Sequence, residues 1–169
     1  MSHRFGFAIV ALLGLQLAAL PQSIHVVVDP SPVEVRPPLT VPAELLRYPL
    51  SIHARHMLQK ALELADRGDH ARSVRQLLNT VNQYPNSGPY VFSLLGVEYL
   101  KMQDFADAVF VLEKSVVLLP HDASNHANLG LALLSQSEYD RARAELKRAL
   151  ELDPHYKMAS QLLTALARK

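Results

Sequence analysis

The sequence predicts an all-α protein, an α-solenoid of three stacked helix hairpins closed by a C-terminal capping helix. Two observations predict it. From Ser51 to Lys169 no strand-like alternation persists, and the only glycines are Gly68, Gly88, Gly96 and Gly130. Within that stretch Pro85, Pro120 and Pro154 recur at intervals of 35 and 34 residues, with matching side chains between them. A unit of this size cannot bury its apolar face alone, so each must be covered by the next. A proline-rich linker and an N-terminal apolar segment precede the helical part. The expected organisation is therefore 1–20, 21–50 and 51–169.

The N-terminal segment reads MSHRFGFAIVALLGLQLAAL. Arg4 is followed by sixteen residues, Phe5 to Leu20, with no charge and one polar side chain, Gln16. A basic start ahead of an apolar run is the pattern of an export signal. As a helix it would span about 24 Å at ~1.5 Å per residue. That is short of the roughly 30 Å hydrocarbon core. Ala18 and Ala19 are adjacent and Pro21 follows at once, which makes a poor cleavage region. The expectation is an exported protein, periplasmic or otherwise extracytoplasmic. Removal of the segment and its retention as a membrane anchor through Phe5–Leu20 both stay open.

Residues 21–50 hold seven of the eleven prolines, at 21, 30, 32, 37, 38, 42 and 49. Prolines so placed forbid a regular helix or a central strand. The segment reads as a semi-extended spacer of up to about 3 Å per residue. Its apolar stretch IHVVV, Ile24 to Val28, is long enough on its tether to dock on the helices of its own chain or of a neighbour.

The helical part divides into seven helices, near 52–66, 70–83, 89–101, 105–118, 123–135, 139–152 and 156–167. LLGVEYLKMQDFADAVFVLEKSVVLLP ends at Pro120, and LGLALLSQSEYDRARAELKRALELDP ends at Pro154. Leu95 falls on Leu129, Gly96 on Gly130, Tyr99 on Leu133, Phe105 on Tyr139, Ala108 on Ala142, Leu112 on Leu146 and Ser115 on Ala149. The copy ending at Pro85 keeps Ala61, Leu64, Ser73, Leu77 and Thr80 in these roles, but has Lys60 where the others have leucine. Gly130 on a first helix and Ala142 on a second are expected to let the two backbones approach, with Leu129, Leu133 and Leu146 filling the flanks. Asp104 and Ser137 are placed as N-caps, each with an acid three residues on, Asp107 and Asp140. The three prolines stop the second helices. Arg141 and Glu145 have the spacing of an ion pair on the outer face. The last helix offers Leu162, Leu163 and Leu166 to the core and Arg168 and Lys169 to water.

These residues resemble the tetratricopeptide repeat, a 34-residue helix pair marked by Leu-Gly, an aromatic, Ala, a bulky residue, Ala and then Pro. The resemblance covers Ala54 to Lys169, as repeats of about 54–87, 89–122 and 123–156 with a capping helix at 157–169. It implies a right-handed superhelix whose first helices line a concave ligand groove. Carried onto this chain, the groove would present Arg55, Leu58, Leu62, Tyr90, Ser93, Val97, Lys101, Ala127, Asn128, Leu131, Leu134 and Met158. Some members of the family grip a C-terminal carboxylate with Lys, Arg and Asn. The matching places here hold mainly Leu, Ser, Val and Ala, so that clamp is expected to be absent. An apolar groove suits an amphipathic helix or an apolar extended peptide.

Other chemistries find little support. The chain has no cysteine, which removes disulfides, thiolate metal sites and a cysteine nucleophile. The formal net charge of +1 gives no field that would favour nucleic acid. His53 and His56 are three apart but lack a neighbouring carboxylate. His121 and His155 lie one repeat apart, too far to share an ion. The run His121 to Ser124 contains hydrolase residue types, but consecutive residues on a turn cannot form an ordered triad. No phosphate-binding Gly-Lys-Ser/Thr occurs. No cofactor and no metal are expected. The expected function is a non-enzymatic scaffold or adaptor that holds a partner polypeptide in its groove. The alternative is a structural protein that self-associates through the groove or the cap.

Overall fold

The computed structural model describes residues 48–168. The export segment, the Ile24–Val28 stretch, most of the linker and Lys169 lie outside the described residues. Seven α-helices follow one another: α1 (Ile52–Asp66), α2 (His70–Gln83), α3 (Gly88–Lys101), α4 (Phe105–Leu118), α5 (Ala123–Ser135), α6 (Tyr139–Leu152) and α7 (Lys157–Leu166). A short 3-10 turn, Pro85–Ser87, leads into α3. The boundaries expected from the sequence agree to within one residue. Helices α1–α2, α3–α4 and α5–α6 pair as antiparallel hairpins, and α7 covers the last of them.

One turn is built three times. Gly68, Gln103 and Ser137 each adopt a positive φ, of 77°, 61° and 64°. After each, the next backbone N–H reaches five residues back: Asp69 to Leu64, Asp104 to Tyr99 and Glu138 to Leu133, all at 2.9 Å. This is a Schellman closure, which satisfies carbonyls left over at the end of a helix. The residue that closes each first helix also opens the second. Asp69 accepts from the Arg72 N–H at 3.2 Å, and Asp104 caps α4. Ser137 is therefore not the N-cap expected from its hydroxyl. It occupies the left-handed position, and Glu138 is the cap residue without a side-chain hydrogen bond. In repeat register Glu138, not Ser137, corresponds to Asp104. The second helices end as expected, with Tyr84, Leu119 and Asp153 leaving the helical region ahead of Pro85, Pro120 and Pro154.

The core runs through the array as three clusters, each joining one unit to the next. Leu58, Ala61, Val74 and Leu77 pack with Val91, Leu95 and Val111. Leu100, Ala108, Val109 and Leu112 pack with Leu129, Ala132, Leu133 and Ala142. Ala127, Leu146 and Ala149 pack with Ala159 and Leu162 of the cap. Each hairpin is thus buried by its successor, and α7 ends the series with Leu166 also buried. Leu163 is half-buried, and Arg168 is exposed.

Close approach within the second and third hairpins rests on glycine, though its partner differs from the expected one. A β-carbon at Gly130 would meet Leu146 at 2.7 Å and the Ala142 carbonyl oxygen at 3.4 Å. One at Gly96 would overlap Leu112. The leucine is thus seated on the glycine rather than beside it, while Ala108 and Ala142 admit the backbone. In the first hairpin Ala61 and Ser73 stand at these places, and the Ser73 hydroxyl donates to the Ala61 carbonyl at 2.9 Å.

The expected Arg141–Glu145 pair is also replaced. Arg141 bonds Glu138 at 2.6 Å and reaches Glu113 on α4, while Glu145 turns inward to His126 at 2.7 Å. A partner on a neighbouring helix competes with local spacing, and here it wins.

Candidate functional site

Two of the three pairs of successive first helices pack together, α3 on α5 and α5 on α7. No two second helices pack together to that extent. A row of hairpins that is tighter along one side must curve toward that side. The first helices therefore lie on the inner face, where the groove was expected.

Equivalent first-turn positions on the four inner helices are Arg55, Tyr90, Ser124 and Met158. Further along, Leu62, Val97 and Leu131 are equivalent. Leu62 is 39% exposed. Val97, Leu131, Leu134 and Met158 are half-buried, so each offers apolar surface while resting on the core. Ser93 is half-buried, and its hydroxyl bonds that of Ser115 at 2.8 Å. Asn128 is half-buried as well.

Two expected groove residues present no surface. Leu58 is 7% exposed and Ala127 is fully buried. Leu58 is held in the cluster between the first two hairpins, and Ala127 lies beneath the cap with Leu146, Ala159 and Leu162. Ser124 belongs to the inner face and was missed. The 34-residue register from Tyr90 would have found it.

The cationic groups of this face are engaged within the chain. Arg55 donates to the Leu50 carbonyl from Nε at 3.2 Å and Nη2 at 3.1 Å. Lys101 lies 3.1 Å from Glu98, whose other oxygen is 2.9 Å from His70 Nδ1. Glu98 is a buried carboxylate on α3; Lys101 supplies its countercharge and His70 a hydrogen-bond partner. His70 is thus directed to Glu98, while His53 and His56 stay exposed.

The chain's own entry segment lies on the inner face. The Tyr90 hydroxyl donates to the Tyr48 carbonyl at 3.2 Å. The Leu50 side chain packs against the cluster that contains Leu58, Val91 and Leu95. Burial raises the Tyr90 phenol above its ordinary pKa, with Arg55 nearby opposing the rise. Tyr156 is likewise raised by burial, against a lowering hydrogen bond with Ser124. A shallow cleft of about 280 Å³ lies beside this segment, between Pro49–Ala54 and Gln83–Ser87.

Behind the groove, His126 was not singled out by the sequence. Its Nδ1 lies 2.7 Å from Glu145 and its Nε2 lies 3.2 Å from the Pro120 carbonyl. Both ring nitrogens face acceptors, which suits the protonated imidazole. Its pKa is raised, chiefly by the Glu145 hydrogen bond.

Among the described residues, no three His, Cys, Asp or Glu side chains are grouped to hold a metal ion. No described helix is long and apolar enough to cross a membrane.

Residues 93–157 match the tetratricopeptide repeat family model. The first such domain of Spaghetti (RPAP3), solved with the HSP90 peptide SRMEEVD, has a TM-score of 0.67 at 17% identity, over 72% of this chain and 95% of that one. The second domain of human RPAP3, in complex with the HSP70 peptide SGPTIEEVD, has a TM-score of 0.65 at 17% identity, over 69% and 96%. MamA from Desulfovibrio magneticus RS-1 has a TM-score of 0.57 at 23% identity, over 68% and 74%. The comparison with curated proteins found no match. Residues 93–157 are thus a tetratricopeptide-repeat segment, and the described array as a whole has the fold of a tetratricopeptide-repeat domain.

Proposed function

We propose that the chain is a non-enzymatic scaffold that holds an extended or amphipathic polypeptide on the inner face of its helices. The observation that carries this reading is the entry segment: Tyr90 and Arg55 already hold backbone carbonyls of a non-helical stretch there. Half-buried Val97, Leu131, Leu134 and Met158 continue that face as apolar surface. Similar domains were solved with chaperone peptides that end in Glu-Glu-Val-Asp. In this chain the partner is an apolar segment rather than an acidic tail, because Arg55 and Lys101 are engaged internally. Self-association through the same face is the competing outcome of the test.

We place the scaffold outside the cytoplasm, in the cell envelope, on the strength of Arg4 and the uncharged run Phe5–Leu20. N-terminal sequencing of the mature chain with cell fractionation checks this.

A photo-crosslinking amino acid at Val97 or Leu131, introduced in the native host, tests the binding. Capture of one protein at both positions, with none at the outer-face residue Ala144, is the expected result. Equal capture at inner and outer positions would refute it. Capture of a second copy would favour self-assembly.

A further inference from the structure

We propose that residues 40–46 of this chain, TVPAELL, occupy the inner face in cis and compete with the partner. The inference rests on the groove reading above and names what the partner must displace.

The path is set by the described end of the linker. Leu50 lies at Arg55 on α1, and Tyr48 lies at Tyr90 on α3. Traced toward the N-terminus, the chain therefore steps from α1 to α3 along equivalent first-turn positions. The next two positions in that register are Ser124 on α5 and Met158 on α7. Packed helices lie roughly 8–10 Å apart, and extended backbone advances about 3.3 Å per residue. Each step thus takes two or three residues. Leu45 and Leu46 fall at Ser124, and Pro42 to Glu44 fall at Met158.

The composition of the stretch matches what it would meet. Val41, Pro42, Ala43, Leu45 and Leu46 are apolar, and Glu44 is the single charge. Pro42 favours an extended backbone that needs no ladder partner. The inner face offers the Met158 thioether, Leu131 and Leu134 for the side chains. The Ser124 and Tyr156 hydroxyls add polar groups. No spacer separates the stretch from its anchor at Tyr48. Its effective concentration is therefore at least of the ~mM order given for short linkers.

The test uses the purified full chain and two readouts. The first is a photo-crosslinker at Ser124 or at Met158, with products mapped by mass spectrometry. Intrachain links to residues 40–46, independent of protein concentration, are expected. Links to Ile24–Val28, links between two chains, or no link at all would each overturn the proposal. The second readout uses a fluorescein-labelled synthetic peptide of sequence TVPAELLRYPL. The double substitution Leu45→Asp and Leu46→Asp replaces two apolar side chains by charges and releases the face. It is expected to tighten peptide binding at least about tenfold. Equal affinity for both chains, or no binding to either, would overturn the proposal. The two ideas fail separately. If both chains capture a partner at Val97 and do so equally well, the cis segment is excluded and the groove stands. If intrachain links form but Val97 captures no protein in either chain, the partner reading fails and the cis contact stands.

Discussion

Leu146 sits directly against Gly130: a β-carbon built on the glycine would lie 2.7 Å from both Cγ and Cδ2 of the leucine. Carbon atoms prefer about 3.5–4.0 Å, and Leu146 has no exposed surface into which to retreat. Gly130→Ala should cost about 1 kcal/mol net, as overpacking exceeds the gain in helix propensity. Leu146→Ala alone should cost about 2–5 kcal/mol. In the Leu146→Ala background the clash is gone, so Gly130→Ala should become neutral or stabilising. Urea denaturation of the four chains measures this coupling. Identical costs of Gly130→Ala in both backgrounds would show that the contact does not limit packing. Gly96 with Leu112 should behave alike.

The three hairpin turns use one left-handed residue each, and only the first is glycine. The left-handed conformation costs an L-residue roughly 1–2 kcal/mol. Glycine gives back part of that through its looser unfolded chain. Gln103→Gly and Ser137→Gly should each stabilise the fold by about 0.5–1 kcal/mol. Gly68→Ala should destabilise it by roughly 1 kcal/mol, although nothing lies within 4 Å of the added carbon. Thermal melts of the three variants decide the matter, and a destabilised Gln103→Gly would contradict the turn assignment.

His126 makes stability depend on pH in a defined direction. Its folded pKa is raised above the ordinary value of 6.5, mainly by Glu145, with burial opposing, the Pro120 carbonyl assisting and Arg148 opposing more weakly. A group with a raised folded pKa contributes fully below the unfolded value and loses its contribution as pH rises through the folded one. The stability advantage over His126→Gln should therefore be greatest below about pH 6.5 and shrink above it. Denaturation at a series of pH values measures the advantage, and an NMR titration of the imidazole should give a midpoint above 6.5. An advantage that grew with pH would refute the assignment.

Peptides ending in Glu-Glu-Val-Asp should bind this chain no more tightly than scrambled versions. Arg55 holds the Leu50 carbonyl and Lys101 faces Glu98, so neither charge awaits a carboxylate. Fluorescence anisotropy at physiological salt is the measurement. A clear preference for the acidic tail would mean that these internal contacts yield to a ligand.

The recurrence of Leu-Gly, Ala and Pro at 34 residues was enough to place every helix to within one residue. Local signals account for this: prolines end the second helices, and small residues recur at fixed register on each pair. The approximate composition of the inner face was legible for the same reason, because the register carries one position onto the next. Ser124 is an exception that the register contained but residue type concealed. Sequence spacing also favoured a bond between Arg141 and Glu145, and a hydroxyl favoured Ser137 as a cap. Both yielded to geometry that spacing does not encode.

What the chain order alone determined is the array: how many helices, where they stop, and which face of each is apolar. Those features follow from periodicity and from the backbone limits of proline and glycine, which act within a few residues. Only the tertiary structure decided which leucine rests on each glycine, that Leu58 and Ala127 vanish into the core, that Glu145 belongs to His126, and that Tyr90 and Arg55 hold the entry segment. Each of these pairs is made between separate helices or across a turn, where the winner is set by distance and burial in three dimensions.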